Sequence, residues 1–322
     1  MTDAQKNFRD AKFGMMIHWG LYSLLAGEYR GQRMDYIGEW IQSKYEIPNA
    51  EYEKLAEAFL PLYFNADEWV LLAKAAGMEY IVVTAKHHEG FCLFDSAYDD
   101  YNTVRGTPMK RDVIGELADA CRRHGLKLGL YYSQDLDWHE KDGGGYFDGK
   151  TNFGMSWTNS WDFPDTVAKD YSRYFRAKVL PQVKELLTKY GDIFLVWFDT
   201  PMTISAEESK ELFSLVKRLQ PNCLVNTRIG NGLGDYTSMG DNEIPDCGFE
   251  MPAESPTTLN DTWGYKSFDE NWKDAEKVLA IKKHLNDRGV NYLLNVGPDA
   301  MGRIPAPAEA ILRRVGELSK KA

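Results

Sequence analysis

Chemically active side chains stand at or shortly after the ends of several short apolar runs of this 322-residue sequence. In chain order they are His18, His87 and His88, Tyr131 and Tyr132, Asp199, and Arg228. A carboxylate that follows five apolar residues, as Asp199 does, is costly to bury unless a nearby group pairs with it or the protein uses it. A neutral imidazole offers one donor and one acceptor, which suits the recognition of adjacent hydroxyl groups. The series indicates a site for a hydroxyl-rich molecule, with a structural ion pair between Asp199 and Arg228 as the alternative.

The histidine pair also raises the question of a metal site. His87 and His88 could be metal ligands or core imidazoles. Metal hydrolases built on barrels commonly carry a His-x-His pair on the first strand, whereas Trp19 and Gly20 follow His18 here. No convergent set of ligand spacings appears elsewhere, so no metal is predicted. Glu39 and Trp40, in the segment Gly-Glu-Trp, offer a hydroxyl acceptor and a stacking face.

Apolar runs and amphipathic stretches alternate along nearly the whole chain, which is typical of βα units around a parallel sheet. Strands are predicted over residues 13–18, 80–85, 126–132, 193–198, 224–226 and 292–296. Helices are predicted over residues 66–76, 110–124, 166–190, 206–219 and 270–288. Asn65 is predicted to cap the first, and glycines 77, 125, 191 and 289 each follow a helical pattern. We therefore expect an α/β fold, a (β/α)8-type (TIM-like) barrel in a single domain over residues 1–322. The carboxyl ends of barrel strands converge on one mouth, where active sites lie.

Two stretches are predicted to be long loops, residues 143–163 and residues 230–265. The first is rich in Gly, Asn, Ser and Trp, and long loops in compact barrels are usually functional.

Charge and composition exclude some classes of partner. A net charge of −10 argues against nucleic acid and against an anionic membrane, which both require a basic surface. Aromatic residues make up 13% of the chain, and rings of this kind stack on sugars, although many of them will be ordinary core. The four cysteines show no paired spacing, and neither an apolar leader nor a run of about 20 apolar residues occurs. A soluble protein is expected, cytoplasmic as given, or periplasmic or secreted if a signal peptide has been removed.

Seven segments together resemble the α-L-fucosidases of glycoside hydrolase family 29. They are residues 13–20 (FGMMIHWG), 38–40 (GEW), 84–91 (TAKHHEGF), 129–133 (GLYYS), 197–199 (WFD), 262–265 (TWGY) and 291–298 (NYLLNVGP). The resemblance implies hydrolysis of terminal α-L-fucose with retention of configuration, on glycans or glycoconjugates, without metal or other cofactor. It also implies a catalytic barrel domain, and the β-sandwich that often follows it in the family is expected to be absent.

The resemblance implies roles for individual residues. Asp199 matches the nucleophile, and Glu254, expected in a variable loop, is the preferred acid/base over Glu250 and Glu243. Residues implied to surround fucose are His18, Glu39, Trp40, His87, His88, Tyr132, Trp197 and Arg228, with Trp263 as a candidate contact for the C6 methyl group. Tyr132 is preferred to Tyr131. Retention requires the two catalytic carboxyl groups to lie about 5–5.5 Å apart.

Two alternative functions stay open at this point. A retaining glycosidase for a galacto-configured sugar would use the same chemistry, because fucose shares its pattern of ring hydroxyls with such sugars. A fucose-binding protein without catalysis would keep the pocket alone. Transfer of fucose in place of hydrolysis, the natural glycan, the linkage preference and the oligomeric state are not determined by the sequence.

Overall fold

The computed structural model describes residues 1–145 and 151–321. Within these residues, eight strands form one parallel sheet. They are β1 (Phe13–Ile17), β2 (Tyr80–Lys86), β3 (Lys127–Tyr132), β4 (Leu195–Phe198), β5 (Leu224–Val225), β6 (Thr237–Ser238), β7 (Ala253–Thr258) and β8 (Val290–Val296). Their order in the sheet is β6-β7-β8-β1-β2-β3-β4-β5, with every pairing parallel.

A parallel bridge between Asn226 and Tyr236 joins the two outer strands, β5 and β6. Hydrogen bonds support it on both sides, from the Thr227 amide to the Tyr236 carbonyl (3.0 Å) and from the Asp235 amide to the Val225 carbonyl (2.7 Å). The sheet therefore curls round to meet itself, and the predicted barrel fold is confirmed.

Seven longer helices surround the strands in the described part of the chain. They are α1 (Asp3–Ala11), α2 (Ala66–Ala75), α3 (Val113–His124), α4 (171–189), α5 (Ala206–Leu219), α6 (Ala275–Asn286) and α7 (Ala306–Ser319). Helix α4 runs through Tyr171–Tyr174, a π-helical turn at Phe175–Val179, and Leu180–Lys189. The predicted cap at Asn65 is confirmed, since its side chain accepts from the amides of Asp67 and Glu68. Among the helices so described, none has the length and apolarity that a membrane crossing would require.

Short elements decorate the mouth and sides of the barrel. The short helices are Tyr22–Leu25, Gly38–Trp40, Ile41–Lys44, Asn49–Tyr52, Leu55–Ala58, Thr166–Ala168 and Thr227–Ile229. Two hairpins in the described residues pair Glu28–Tyr29 with Gln32–Arg33 and Thr151–Asn152 with Met155–Ser156. The second hairpin belongs to the predicted loop over residues 143–163, of which residues 146–150 lie outside the described residues.

The prediction of loop over residues 230–265 is wrong for two segments. Strands β6 and β7 fall within it. Strand β7 has the sequence AESPTT, which lacks the apolar run of the other strands, and its six residues are nevertheless all buried.

Alternation along each strand separates two cores. Met16, Val82, Leu195 and Leu293 belong to the cluster inside the barrel. Their neighbours Met15, Ile81, Val196 and Leu294 belong to the cluster between strands and helices. Phe8 of α1 closes the amino end of the barrel, with its ring 4.3 Å from that of Tyr236. A site is therefore expected at the carboxyl end of the barrel.

Candidate active site

A cavity of about 160 Å³ lies at the carboxyl ends of the strands. Nine residues predicted from the sequence line it: His18, Glu39, Trp40, His87, His88, Trp197, Asp199, Arg228 and Trp263. Tyr131, to which the sequence analysis preferred Tyr132, also lines it. So do residues not predicted for the site, among them Tyr36, Asn152, Trp157, Thr200 and Asp241. A larger cavity of about 630 Å³ lies at the opposite end, beside α1, and is lined by none of these residues. Chemistry in barrel enzymes belongs to the carboxyl end, so the smaller cavity is the candidate active site.

The carboxylate of Asp199 is held from two sides. Its Oδ1 accepts a hydrogen bond from Nη1 of Arg228 at 2.8 Å, and its Oδ2 accepts one from the Tyr131 hydroxyl at 2.9 Å. The backbone amide of Asp199 donates to Oε1 of Gln134 at 2.9 Å. Strand β4 ends one residue earlier, and alternation from Leu195 and Trp197 turns Asp199 into the barrel mouth. The arrangement holds the carboxylate in a fixed orientation.

Three buried histidines line the same cavity in neutral form. Burial lowers the pKa of His18 to about 4, and it lowers the pKa values of His87 and His88 well below the usual value. Asn295 donates its amide N–H to the Trp263 carbonyl, so its oxygen accepts from Nδ1 of His18, at 2.7 Å. His18 therefore keeps Nε2 as an acceptor.

The same reasoning fixes the tautomer of His88. Ser133 donates its hydroxyl hydrogen to the Leu136 carbonyl, so its oxygen accepts from Nδ1 of His88 at 2.8 Å. The unprotonated Nε2 of His88 lies 3.9 Å from Oδ2 of Asp199. Nδ1 of His87 is buried and has no hydrogen-bond partner among the described residues. Nε2 of His88 and Nδ1 of His87 can form hydrogen bonds with the hydroxyl groups of a bound molecule.

Glu39 and Trp40 enter the cavity from the short helix Gly38–Trp40. Oε2 of Glu39 accepts from the Gly264 amide at 2.8 Å, and burial raises the pKa of Glu39 to about 7. The ring of Trp40 meets that of His88 edge-on at 5.5 Å, and Trp263 lies 5.3 Å from His18. The cavity therefore combines indole faces with hydroxyl acceptors.

Tyr132 does not belong to the cavity, and the preference for it over Tyr131 is wrong. Adjacent residues of a strand point to opposite faces. Tyr131 points into the barrel and binds Asp199, whereas Tyr132 points outward and donates to Oε1 of Gln182 at 2.7 Å.

Glu254 also lies elsewhere than expected. It is the second residue of β7, fully buried, rather than part of a loop. Its carboxylate accepts from the Tyr80 hydroxyl (2.6 Å) and from Nε1 of Trp197 (2.9 Å). It pairs in register with Asn291, near the amino end of β8, and does not line the cavity. The alternatives Glu243 and Glu250 are exposed and do not line it either.

Asp241 is a cavity carboxylate that the sequence did not reveal. Its Oδ1 accepts from Nη2 of Arg228 at 2.7 Å, so a single guanidinium binds both Asp199 and Asp241. The side chain of Asp241 is 52% exposed, compared with 13% for Asp199. Asp241 therefore stands at the outer side of the cavity and Asp199 at the inner side.

Among the residues that the structure describes, one group of potential metal ligands, Asp99, His139 and Glu140, occurs outside the cavity. The ammonium of Lys178 lies 3.1 Å from Glu140 and 4.0 Å from Asp99. This buried cation already supplies positive charge to that group.

A parallel barrel whose mouth combines a fixed carboxylate, neutral imidazoles and indole rings is the architecture of a glycoside hydrolase. The family model of the alpha-L-fucosidases matches residues 1–321. The chain belongs to this family.

Solved structures of alpha-L-fucosidase AlfC from Lactobacillus casei are similar over the whole chain. The unliganded structure is 53% identical, covers 99% of both chains and superposes with a TM-score of 0.96. AlfC has also been solved with α-L-fucose as product, and one of its mutants with 4-nitrophenyl α-L-fucopyranoside as substrate.

Curated relatives are longer. The plasma alpha-L-fucosidase of Rattus norvegicus is 30% identical over 96% of this chain, which spans 67% of that protein. A Caenorhabditis elegans relative is 29% identical over 96% of this chain, which spans 64% of its length. The chain therefore corresponds to about two thirds of these relatives.

Proposed function

We propose that this protein is a retaining exo-α-L-fucosidase that removes terminal α-L-fucose from glycans or glycoconjugates, with residues 1–322 as its catalytic domain. The observation that carries the proposal is the carboxylate of Asp199, held by Arg228 and Tyr131 at the inner side of the cavity. The similarity to AlfC, which has been solved with fucose as product, supports fucose as the sugar.

The first chemical step is attack by Asp199 on the anomeric carbon. A carboxylate oxygen forms an ester bond to that carbon while the bond to the leaving oxygen breaks, through an oxocarbenium-like transition state. Arg228 and Tyr131 fix the carboxylate before reaction, so little reorganisation is needed. The product is a covalent fucosyl-enzyme and a released aglycone.

The leaving oxygen needs a proton, and we assign its donor to Asp241 in place of Glu254. An acid/base must reach both the departing aglycone and an incoming water, which enter and leave through the open side of the cavity. Asp241 is half-exposed there and shares Arg228 with Asp199. Retention needs carboxyl groups about 5–5.5 Å apart, and binding to one guanidinium keeps such a pair close. In the second step Asp241 takes a proton from water, and the water oxygen bonds to the anomeric carbon while the ester bond to Asp199 breaks. This step releases fucose and restores the Asp199 carboxylate.

Recognition of the sugar falls to the buried ring of polar groups. Nε2 of His18, the free Nδ1 of His87 and the carboxyl of Glu39 can bind ring hydroxyls. Trp263 offers an apolar surface for the C6 methyl group. Neutral imidazoles suit this task because they do not introduce a charge that would oppose the developing oxocarbenium ion.

Hydrolysis of a panel of 4-nitrophenyl glycosides tests the sugar. We expect the α-L-fucoside to turn over fastest; faster turnover of a β-D-galactoside or β-D-arabinoside would assign a different glycosidase. Fucose binding without turnover of any glycoside would indicate a non-catalytic binding protein.

Replacement of the nucleophile tests the mechanism. Asp199→Ala should lose most activity, on the order of 10⁴-fold or more. Added azide should restore turnover and yield fucosyl azide of inverted configuration. Asp192→Ala, at an exposed carboxylate shortly before β4, is the matched control and should behave as wild type.

A further inference from the structure

Thr200, directly after Asp199, has a strained backbone. Its φ is +48°, in the left-handed region that β-branched residues rarely adopt. The following residue is Pro201, which restricts the backbone of Thr200 further. Strain of this kind persists only where surrounding contacts impose it, and it concentrates at functional sites. Some group must therefore hold the segment that follows Asp199.

The buried carboxylate of Asp135 is that group. Its Oδ2 accepts three backbone hydrogen bonds, from Met202 at 2.9 Å, Thr203 at 2.6 Å and Ile204 at 2.8 Å. Asp135 is fully buried, where hydrogen bonds to a carboxylate are stronger than those between neutral groups. A single oxygen thus fixes three consecutive amides between Thr200 and helix α5.

Neighbouring contacts close around this carboxylate. A Cβ at Gly144 would lie 1.9 Å from Oδ1 of Asp135, so only glycine fits there. The Gly144 amide donates to the Asp135 carbonyl at 2.8 Å. Gln134, the preceding residue, accepts from the Asp199 amide at 2.9 Å and donates to the Arg228 carbonyl at 3.0 Å. Residues 134 and 135 therefore hold Asp199 on one side and residues 202–204 on the other.

We infer that Asp135 is a positioning residue: its carboxylate holds residues 202–204, keeps Thr200 in its strained conformation, and so sets the angle at which Asp199 meets the anomeric carbon. The inference rests on the proposed role of Asp199. Asp135 itself does not line the cavity, so it acts on the reaction only through the backbone.

The test compares Asp135→Ala and Asp135→Asn with the wild-type protein, on 4-nitrophenyl α-L-fucoside at pH 8. Burial raises the pKa of Asp135 to about 6, so the carboxylate is ionised in this assay. We expect kcat to fall about a hundredfold for Asp135→Ala, as for a small misplacement of a reacting group. Asp135→Asn keeps an acceptor oxygen and should lose less. The inhibition constant of free fucose should change less than threefold in both, because the sugar contacts remain.

Thr200→Gly separates positioning from general destabilisation. Glycine adopts the left-handed region without strain. The hydrogen bonds from residues 202–204 to the Asp135 carboxylate therefore matter less when residue 200 is glycine. Asp135→Ala should therefore cost at least tenfold less in kcat in the Thr200→Gly background than in the wild-type background. Inactivation by 2-deoxy-2-fluoro-α-L-fucosyl fluoride, which reports attack by Asp199 alone, should follow the same pattern.

Asp112→Ala is the matched control, because Asp112 caps α3 through the Gly115 amide at 2.9 Å and lies away from the cavity. It should lower thermal stability without lowering kcat. Equal losses from Asp135→Ala in both backgrounds, or a loss confined to thermal stability or to fucose binding, would overturn the inference. A wild-type protein inactive on every fucoside would instead refute the proposed function.

Discussion

Arg228 and Asp199 form an ion pair of 2.8 Å at the inner side of the cavity. The guanidinium also packs over the ring of Trp197, 4.6 Å from its centroid, and its second nitrogen binds Asp241 at 2.7 Å. Its planar shape is what allows one side chain to meet two carboxylates and a ring at once. Arg228 therefore sets the spacing of the two acids that the proposed mechanism needs.

Removing this cation should impair catalysis more than folding. In Arg228→Met, Asp199 and Asp241 face each other without a shared cation, and we expect kcat to fall about 10²–10³-fold, as on loss of a preorganised donor. Arg228→Lys restores a point charge that cannot span both acids, so roughly a tenfold loss should remain. Steady-state kinetics on 4-nitrophenyl α-L-fucoside measure both. Arg228→Met with more than half of the wild-type kcat would contradict this role.

The rate loss of Asp241→Ala should depend on how much the leaving group needs protonation, as it does when a general acid is missing. A fucoside with a dinitrophenyl leaving group needs little protonation and should react at near the wild-type rate in the first step. A fucosyl disaccharide should lose about 10²–10⁴-fold. Azide should accelerate the second step and give fucosyl azide of retained configuration, opposite to the product from Asp199→Ala.

The neighbouring Glu243 provides the control for this assignment. It is exposed and does not line the cavity, so Glu243→Ala should keep both activities. If Asp241→Ala lowered the rate of the first step equally on the activated and unactivated substrates, Asp241 would be excluded as the acid/base. Measurement of Glu254→Gln on the same two substrates tests Glu254, the acid/base preferred from the sequence.

Tyr131 and Tyr132 form a natural matched pair. Tyr131→Phe removes the donor to Oδ2 of Asp199 and should reduce kcat by about 10²-fold with little loss of stability. Tyr132→Phe removes the hydrogen bond to Gln182 outside the barrel. It should leave kcat unchanged and lower the free energy of unfolding by about 1 kcal/mol. Kinetics and urea unfolding of the two variants measure these effects. A loss of kcat in Tyr132→Phe, with a loss of stability alone in Tyr131→Phe, would contradict the geometry.

The strand alternation could have identified Tyr131 from the sequence. In β4, Leu195 and Trp197 face the barrel interior, and Asp199 continues that series. Register pairs Tyr131 with Trp197, so Tyr131 shares their face and Tyr132 does not. Applying the period of two across adjacent strands, rather than reading each strand end alone, gives the correct tyrosine.

Other parts of the fold and site were beyond sequence reasoning. Apolar runs revealed six of the strands, because burial on both sides requires them. Strand β7 is polar and contains Pro256, yet its polar side chains find hydrogen-bond partners, as Glu254 does in Tyr80 and Trp197. Asp241 lies in a loop with no periodic pattern, and only the three-dimensional position of Arg228 brings it to the cavity.

Glu254 should make stability depend on pH. Burial raises its pKa from 4.5 to about 7. Between these values the folded protein binds a proton that the unfolded chain has released, so stability falls as pH rises from 4.5 to 7. At 1.36 kcal/mol per pH unit, the loss is on the order of 3 kcal/mol, and no further loss from this group occurs above pH 7. Glutamine does not titrate, so Glu254→Gln should lack the fall in stability that Glu254 causes between pH 4.5 and pH 7.

Urea unfolding of the wild-type protein and Glu254→Gln at pH 5 and pH 8 measures the difference. The glutamine oxygen can accept from Trp197 and its amide can donate to Tyr80, so the variant can satisfy both neighbours. Glu39 and Glu89, whose pKa values burial also raises to about 7, are present in both proteins and cancel in the comparison. The wild type should therefore lose more stability than the variant between pH 5 and pH 8. Parallel losses in the two proteins would show that Glu254 is already ionised in the folded barrel at pH 5.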